Sequence, residues 1–373
     1  MNMLKKLYRT AAAFVAAVLF TLPCVAAPDC SAVSAILMDA DTGEVLCEKQ
    51  ADKRSLIAST TKIMTAIVVL EHCETDAEFV IPPEAANIEG SSIYLQAGEI
   101  LTIRDLLYGM MLHSGNDAAI ALALACSGSV DEFVVLMNLK AQALGMKNSS
   151  FQNPNGLDGE AHYSTARDLA ILTAYALENP TFRQIVSTKR YQCGTRCFTN
   201  HNKLLWSVDG AIGVKTGFTK AAGRILVSAA ERKGRRLIAV TINDGNDWED
   251  HKRYYDYGFA QYQERMLVAL RSSVTQIPLM DGSRAELVAG DSVTCYATEG
   301  ENVTLRLLYP RQAFTAGIPG TFAGSAAVYL GGRRIATIRL LWGKTEEFYG
   351  TTTAKNTVRP WRCLPTCSGT ADC

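Results

Sequence analysis

A long apolar segment lies early in the chain and begins with a lysine. From Ile63 to Leu70 the single polar residue is Thr65, which predicts a helix buried in a hydrophobic core. Lysine is rarely buried unless it is paired, yet Lys62 stands at the head of this segment. Ser59 lies three residues earlier, and residues at this spacing share one face of a helix. We therefore interpret Ser59 and Lys62 as a candidate nucleophile and base.

The pattern on either side of this segment predicts strands followed by helices. Apolar runs at 34–38 and 45–49 flank Asp41-Thr42-Gly43, which is typical of a β-hairpin. Residues 59 to about 188 then form a mostly helical block, divided by the loop Asn153-Pro154-Asn155-Gly156. Three helices within this block are predicted to start with capping-box sequences. The starts are Thr102-x-x-Asp105, Ser129-x-x-Glu132 and Thr165-x-x-Asp168.

The pattern changes again after residue 224. Two β-rich runs meet at a Lys-Gly turn between 224 and 242, and a helix-like stretch covers about 248–262. Strands, helices and strands in one core predict an α+β fold rather than alternating βαβ units. Two later hairpin signals, each with a Gly-containing turn, predict a small β-rich domain at 275–343. The first domain is accordingly placed at 28–268, and the tail at 344–373 has no assignable fold.

The first residues have the features of an export signal. Three basic residues precede an apolar run from Ala11 to Leu22, and small residues follow at Val25-Ala26-Ala27. This pattern predicts a Sec-type signal peptide at 1–27 and a mature chain that starts near Pro28. An uncleaved N-terminal anchor is the alternative interpretation. Export would place the protein in the cell envelope or outside the cell.

The charge balance and the cysteine content indicate which partners, disulfides and cofactors to expect. The chain of 373 residues has 37 Lys plus Arg and 37 Asp plus Glu, so we expect no nucleic-acid partner. Eleven cysteines are present, and in an exported protein the close pairs Cys193/Cys197 and Cys363/Cys367 are expected to form disulfides. Histidines do not cluster with these cysteines, so neither a metal site nor any other cofactor is predicted.

Three short motifs with chemical potential occur in a fixed order. They are Ser59-x-x-Lys62, Ser114-Gly115-Asn116 and Lys215-Thr216-Gly217. Each alone has an ordinary structural interpretation, as a helix cap, an interhelix turn or the entry to a strand. In this order, the set resembles the active-site signature of penicillin-binding proteins and serine β-lactamases.

Four longer segments sharpen the resemblance. Residues 151–158, 162–168, 201–205 and 213–219 are similar to the serine D-alanyl-D-alanine carboxypeptidases, the low-molecular-weight penicillin-binding proteins. The similarity covers about residues 30–265 closely and the β-rich domain more loosely. It implies a helical lobe on an antiparallel sheet with the site between them, as in β-lactamases and transpeptidases, followed by a small all-β domain.

The resemblance implies a role for each motif residue. Ser59 would be the nucleophile, Lys62 its base, Ser114 a proton carrier to the leaving amine, and Asn116 a support for Lys62 and the substrate amide. Residues that would bind the substrate are Lys215, Thr216, Gly217 and Phe218. The oxyanion would be held by the backbone N–H groups of Ser59 and Phe218.

The expected reaction is removal of the terminal D-alanine from peptidoglycan stem peptides that end in D-Ala-D-Ala, with β-lactams as covalent inhibitors. A serine β-lactamase is less favoured, because Gly115 replaces the Asp of class A enzymes and the 151–158 loop contains no glutamate, although Glu160 follows. A D,D-transpeptidase and an inactive peptidoglycan-binding module remain alternatives. Membrane association stays open, because 344–373 shows no amphipathic helix. Some relatives also have an arginine that helps to bind the substrate carboxylate. Residues 251–253 offer basic side chains for this role, but none of them is assigned to it.

Overall fold

The computed structural model describes residues 27–280, 282–298, 300–308 and 315–346. The predicted signal peptide, apart from its last residue, and the Cys363/Cys367 pair lie outside these residues, as does the tail beyond 346. The chain divides into two compact units. The first comprises the described residues up to Leu267 together with Thr294–Thr304 and Tyr329–Arg334. The second comprises most of the remaining C-terminal strands.

The first unit is built on a five-stranded antiparallel sheet. Its strands lie in the order β2-β1-β9-β8-β7. Their bounds are β1 Ser34–Asp39, β2 Val45–Lys49, β7 Ala211–Thr219, β8 Gly223–Arg232 and β9 Arg235–Ile242. Two short antiparallel pairs accompany the sheet. They are β3 Glu78–Val80 with β4 Ile100–Thr102, and the hairpin of β5 Arg190–Cys193 with β6 Arg196–Thr199. The hairpin predicted from 34–49 is confirmed, since β1 and β2 pair antiparallel.

Eight helices complete the described part of this unit. They are α1 Lys62–His72, α2 Ile103–Leu112, α3 Asn116–Ser127, α4 Val130–Ala143, α5 Ala166–Glu178, α6 Pro180–Ser187, α7 Leu204–Ser207 and α8 Asp247–Ala260. The three predicted helix starts are confirmed. Thr102 forms a reciprocal capping box with Asp105, and the side chains of Ser129 and Thr165 each accept a hydrogen bond from the backbone N–H three residues on.

The two faces of the sheet pack against different helices. Because side chains alternate along a strand, Ile36 and Val240 face the core formed with α1 to α6, whereas Leu37 and Ala239 face α8. All eight residues of β9 are buried, as expected for a central strand covered on both faces. The sequence therefore predicted the α+β class correctly.

The second unit is a sheet of its own, with strand order β11-β12-β16-β15-β14. The strands are β11 Ser273–Pro278, β12 Arg284–Ala289, β14 Val303–Leu307, β15 Phe322–Leu330 and β16 Arg333–Glu346. A further two-stranded pair, β10 Gln263–Val268 with β13 Val293–Ala297, lies almost entirely within the first unit. Both hairpin signals in this region are confirmed as adjacent strands. The boundaries predicted for the domains remain a proposal.

The expected disulfide between Cys193 and Cys197 is wrong for this structure, in which both are free thiols. In the hairpin Cys193 pairs with Arg196, and Gln192 pairs with Cys197. Opposed residues point to the same face and successive residues to opposite faces, so the two thiols lie on opposite faces of the hairpin. Accordingly, Cys193 is buried and Cys197 is exposed.

Within the described residues, no single helix has the length and apolar character needed to cross a membrane. Helices α3 and α4 together pass such a test by length and composition, with a bend of 86° between them.

Candidate active site

Ser59 lies in a tight turn that is packed from two sides. The sequence predicted an α-helix from Ser59 onward, but residues Ala58–Thr61 form a 3₁₀ turn and α1 starts at Lys62. Residues three apart lie directly above one another in a 3₁₀ turn, so the spacing still brings Ser59 and Lys62 together. A Cβ at Gly156 would lie 2.0 Å from the Ala58 carbonyl oxygen, and one at Gly217 would lie 3.3 Å from the Ser59 backbone nitrogen. The turn is therefore fixed between the 153–156 loop and strand β7.

Lys62 is completely buried and fully hydrogen-bonded. Its Nζ atom donates to Ser59 Oγ at 2.9 Å, to Asn116 Oδ1 at 2.7 Å and to the Asn155 carbonyl oxygen at 2.5 Å. A charged Lys62 can donate to all three oxygens, whereas the neutral amine keeps two donations, to Asn116 and Asn155, and its lone pair can then accept from the Ser59 hydroxyl. The nitrogen is thus oriented by Asn116 and Asn155 toward the hydroxyl of Ser59.

Two effects lower the pKa of Lys62 well below that of an exposed lysine. The larger is burial, which disfavours the charged form, and the second is the positive charge of Lys215. The carboxylate of Asp117 opposes both. The carboxylate of Asp117 accepts hydrogen bonds from the backbone N–H groups of Ile93 and Leu95. The site therefore favours an uncharged amine next to Ser59.

A second serine–lysine pair faces the first. Ser114 has a φ of 66° in the turn between α2 and α3, and Lys215 Nζ on β7 donates to its Oγ at 3.1 Å. Lys215 also donates to the Thr216 carbonyl oxygen at 2.9 Å. Burial lowers the pKa of Lys215 to about 7. Lys215 is thus able to exchange a proton near neutral pH.

Gly115, between Ser114 and Asn116, has no space for a side chain. A Cβ at this position would lie 2.8 Å from Asp117 Oδ1 and 3.0 Å from Ile93 Cγ2. An aspartate at this position would therefore require the side chains of Asp117 and Ile93 to shift. This is a structural reason for the departure from the Ser-Asp-Asn motif.

The two pairs border an open cleft of about 530 Å³. Ser59, Ser114 and the strand segment Thr216–Phe218 line the cleft, while Lys62, Asn116 and Lys215 are buried behind them. The structure thus brings all eight predicted site residues to one place. Hydroxyl groups and the backbone of a strand edge are presented to a ligand, and the titratable amines are shielded from solvent. Among the described residues, no group of His, Cys, Asp or Glu side chains is arranged to hold a metal ion.

Several supporting groups were not identified from the sequence. The carbonyl oxygen of Asn155 accepts a hydrogen bond from Lys62. The carbonyl oxygen of Glu89 accepts one from Asn116 Nδ2 at 2.6 Å. His162 lies 2.8 Å from Thr61 Oγ1 through Nε2, and its Nδ1 accepts from the Gln152 backbone N–H at 3.0 Å. Burial lowers the pKa of His162 to about 4, so the ring is neutral and Nε2 carries the hydrogen. The segments 151–158 and 162–168 were recognised as similar to the family, but backbone carbonyl contacts leave no signature in a sequence.

The basic run at 251–253 does not reach the cleft. His251 is buried and lies within hydrogen-bonding distance of Ser228 and Thr241, and Arg253 is paired with Asp250. Arg224 lines the cleft instead, paired with Asp247. Sequence reasoning missed Arg224, although it lies opposite Phe218 in the β7–β8 hairpin, a register that the turn between the strands could have indicated.

Comparison with known proteins relates most of the chain to one family. Residues 23–246 match the family model described as D-alanyl-D-alanine carboxypeptidase. The carboxypeptidase DacF of Bacillus subtilis is 35% identical over 73% of this chain and 74% of its own length. DacC of Escherichia coli is 34% identical over 76% of each chain.

Solved structures give the same result. Penicillin binding protein 5 of Haemophilus influenzae superimposes with a TM-score of 0.64 at 28% identity, covering 87% of this chain and 100% of its own. The Streptomyces K15 DD-transpeptidase gives a TM-score of 0.61 at 37% identity, covering 63% of this chain and 100% of its own. The fold, the cleft and the matched residues lead to one conclusion: the chain belongs to the D-alanyl-D-alanine carboxypeptidase family.

Proposed function

We propose that the protein removes the terminal D-alanine from peptidoglycan stem peptides through an acyl-enzyme on Ser59. The observation that carries this proposal is the 2.9 Å contact between Lys62 Nζ and Ser59 Oγ at the wall of the cleft. A buried amine with a lowered pKa next to a hydroxyl is the arrangement required for a serine nucleophile and its base. Membership of the family supplies the D-Ala-D-Ala substrate class.

Acylation begins with proton transfer from Ser59 to neutral Lys62. The Ser59 oxygen attacks the carbonyl carbon of the bond between the two D-alanines, and a tetrahedral oxyanion forms. The backbone N–H groups of Ser59 and Phe218 stabilise this oxyanion. The close approach of Gly217 to the Ser59 backbone nitrogen supports this assignment, because it brings the two backbone segments together.

The leaving amine must receive a proton as the tetrahedral intermediate collapses. Ser114 delivers it, with Lys215 at 3.1 Å as the proton reservoir. Since burial lowers the pKa of Lys215 to about 7, its proton is available near neutral pH. Proton transfer from Lys62 to Lys215 then restores both amines to their starting states. Water attacks the acyl-enzyme while neutral Lys62 accepts its proton, and Lys62 passes this proton to Ser59 Oγ as the ester bond breaks.

Recognition of the free C-terminal carboxylate is assigned to the Lys215 ammonium and the Thr216 hydroxyl. Thr216 lines the cleft on β7, and the strand edge from Lys215 to Phe218 aligns the peptide backbone of the substrate. Asn116 holds Lys62 through Oδ1 and contacts the substrate amide. These roles are part of the same proposal.

β-Lactams are proposed to acylate Ser59, because their cyclic amide presents a comparable carbonyl to the same groups. The proposed compartment is the cell envelope or the outside of the cell, reached through the signal peptide at 1–27. The catalytic domain is proposed to span 28–268, and a β-rich domain 275–343.

Transpeptidation is the competing reaction, since the matched Streptomyces protein is a DD-transpeptidase. Incubation of the purified protein with a diacyl peptide ending in D-Ala-D-Ala, followed by mass spectrometry, separates the two. We expect a product shorter by one alanine, in equal amount with and without a peptide amine acceptor. A crosslinked product that replaces the hydrolysed one would assign the protein as a transpeptidase.

Two variants serve as controls for this experiment. Ser59→Ala should give neither product, whereas Ser187→Ala, an exposed serine at the end of α6, should behave as the wild type. Hydrolysis that survives in Ser59→Ala would overturn the proposal. Rapid turnover of penicillin by the wild type, without a stable acyl-enzyme, would instead favour a β-lactamase.

A further inference from the structure

Two cysteines meet at the end of the helical lobe opposite to the cleft residues. Cys73 directly follows α1, and Cys126 is the penultimate residue of α3. Both are free thiols in this structure, and the two side chains lie close enough to shift each other's pKa. Both residues are partly exposed, so a reagent in solvent can reach the pair.

The two helices that bring these thiols together also carry two groups of the active site. Lys62 starts α1 and Asn116 starts α3, and their side chains are joined by the 2.7 Å hydrogen bond. Cys73 stands eleven residues after Lys62, and Cys126 stands ten residues after Asn116. At about 1.5 Å per residue, both helices span roughly 15 Å. They therefore run side by side in the same direction, in contact at both ends.

We infer that Cys73 and Cys126 form a disulfide in the exported protein, which clamps the far ends of the helices that carry Lys62 and Asn116. Disulfides form and persist outside the reducing cytoplasm. A disulfide requires Cα atoms about 4.4–6.8 Å apart, a separation that side chains at the adjoining ends of two neighbouring helices can meet. The inference concerns the scaffold of the site and holds whichever reaction Ser59 performs.

The chemistry is thiol–disulfide exchange, with an external disulfide as the oxidant. The Cys126 side chain lowers the pKa of Cys73, whereas the pKa of Cys126 is raised, so Cys73 supplies the attacking thiolate. It displaces one thiolate from the oxidant and forms a mixed disulfide. Cys126 then attacks the Cys73 sulfur and displaces the second thiolate. Two protons and two electrons leave the protein, and the oxidant becomes two thiols.

The other described cysteines differ from this pair. Cys193 and Cys197 lie on opposite faces of their hairpin. Burial raises the pKa of Cys47 to about 11, and its neighbour Cys30 is hydrogen-bonded to Tyr254. Neither pair combines two thiols in mutual contact with a readily formed thiolate.

The test uses the full-length protein, first completely reduced and then incubated with oxidised glutathione. Free thiols are alkylated, and the digest is analysed by mass spectrometry. We expect a crosslinked peptide that contains Cys73 and Cys126, while Cys193 and Cys197 are not joined to each other. Because the bond closes a loop of about 50 residues, we expect the melting temperature to rise by roughly 5–15 °C on oxidation.

Single substitutions test whether the rise in melting temperature comes from this pair of cysteines. Cys73→Ser and Cys126→Ser should each abolish the rise in melting temperature, whereas Cys197→Ser, an exposed thiol outside the pair, should retain it. Oxidation that leaves Cys73 and Cys126 unlinked, or joined to glutathione alone, would overturn the inference. A rise that persists in both serine variants would do the same. If a serine variant does not fold, the peptide map of the wild type decides.

Discussion

The cleft contains two serine–lysine pairs with nearly equal contact distances, 2.9 Å for Ser59 and Lys62 and 3.1 Å for Ser114 and Lys215. Their surroundings differ. Lys62 has two further acceptors, on Asn116 and Asn155, and experiences the charge of the second lysine. Lys215 has one further acceptor, a backbone carbonyl next to it in the chain. In the proposed mechanism the first pair removes a proton from the nucleophile, and the second returns one to the leaving amine.

The two pairs also differ in how the chain forms them. Ser59 and Lys62 are three residues apart, so one 3₁₀ turn is sufficient to join them. Ser114 and Lys215 are 101 residues apart, and they meet when strand β7 packs next to the turn between α2 and α3. The Ser59–Lys62 pair is thus a local feature, while the Ser114–Lys215 pair depends on assembly of the whole unit.

The largest expected effect distinguishes the two serines. Ser59→Ala should abolish labelling by fluorescent penicillin, because the acyl group is attached to this oxygen, whereas Ser114→Ala should still be labelled at a reduced rate. Gel fluorescence followed by peptide mass spectrometry measures both. A label found on Ser114 in the wild type would reverse the assignment of the two pairs.

A smaller effect sharpens the role of the second pair. Ser114→Ala should lower kcat/KM by about 10²–10³-fold for a peptide substrate in which an amide bond joins the two terminal D-alanines, since the leaving amine loses its proton donor. The matched ester, which ends in D-lactate, has a better leaving group and should lose less than about tenfold. Steady-state rates on the two substrates make the comparison. Equal losses would indicate that Ser114 orients the substrate and does not transfer a proton.

The smallest expected effect is on stability. Burial gives Lys215 a pKa of about 7 in the fold, compared with about 10.4 in the unfolded chain. Between these values the unfolded state binds more protons, so stability rises with pH and is lost as pH falls toward 7. Lys215→Met should therefore increase the free energy of unfolding at pH 7 by roughly 1–3 kcal/mol. The variant should also show a smaller increase in stability between pH 7 and pH 10.

Thermal unfolding between pH 6 and pH 10 measures this effect. Lys203→Met, at an exposed position beside the cleft, is the matched control and should leave the profile unchanged. An unaltered pH profile in Lys215→Met would mean that Lys215 is not the buried titrating group.

Local patterns in the sequence predicted much of this molecule. The caps at Thr102, Ser129 and Thr165 were predicted because a side chain and a backbone N–H three residues apart decide them. Contact between Ser59 and Lys62 followed from spacing in the same way, although the turn is 3₁₀ and not α-helical. The second pair followed from resemblance to a family, since nothing local links Ser114 to Lys215.

What the sequence did not reveal depends on backbone atoms and on side-chain direction. The carbonyl groups of Asn155 and Glu89 are common to every residue type, so no pattern identifies them as ligands of Lys62 and Asn116. The disulfide expected for Cys193 and Cys197 was wrong, because proximity along the chain does not show which face of a hairpin each thiol occupies. Arg224 was missed because its place in the cleft depends on pairing between β7 and β8.

The central claim is that Lys62 acts as an uncharged base toward Ser59, and Lys62→Arg tests it most directly. Arginine keeps the positive charge but cannot be deprotonated in a protein. The measurement is the rate of penicillin acylation of Lys62→Arg, with circular dichroism to establish that the variant is folded. We predict a rate at least about 10³-fold below that of the wild type. A folded Lys62→Arg protein that acylates at close to the wild-type rate would contradict the account.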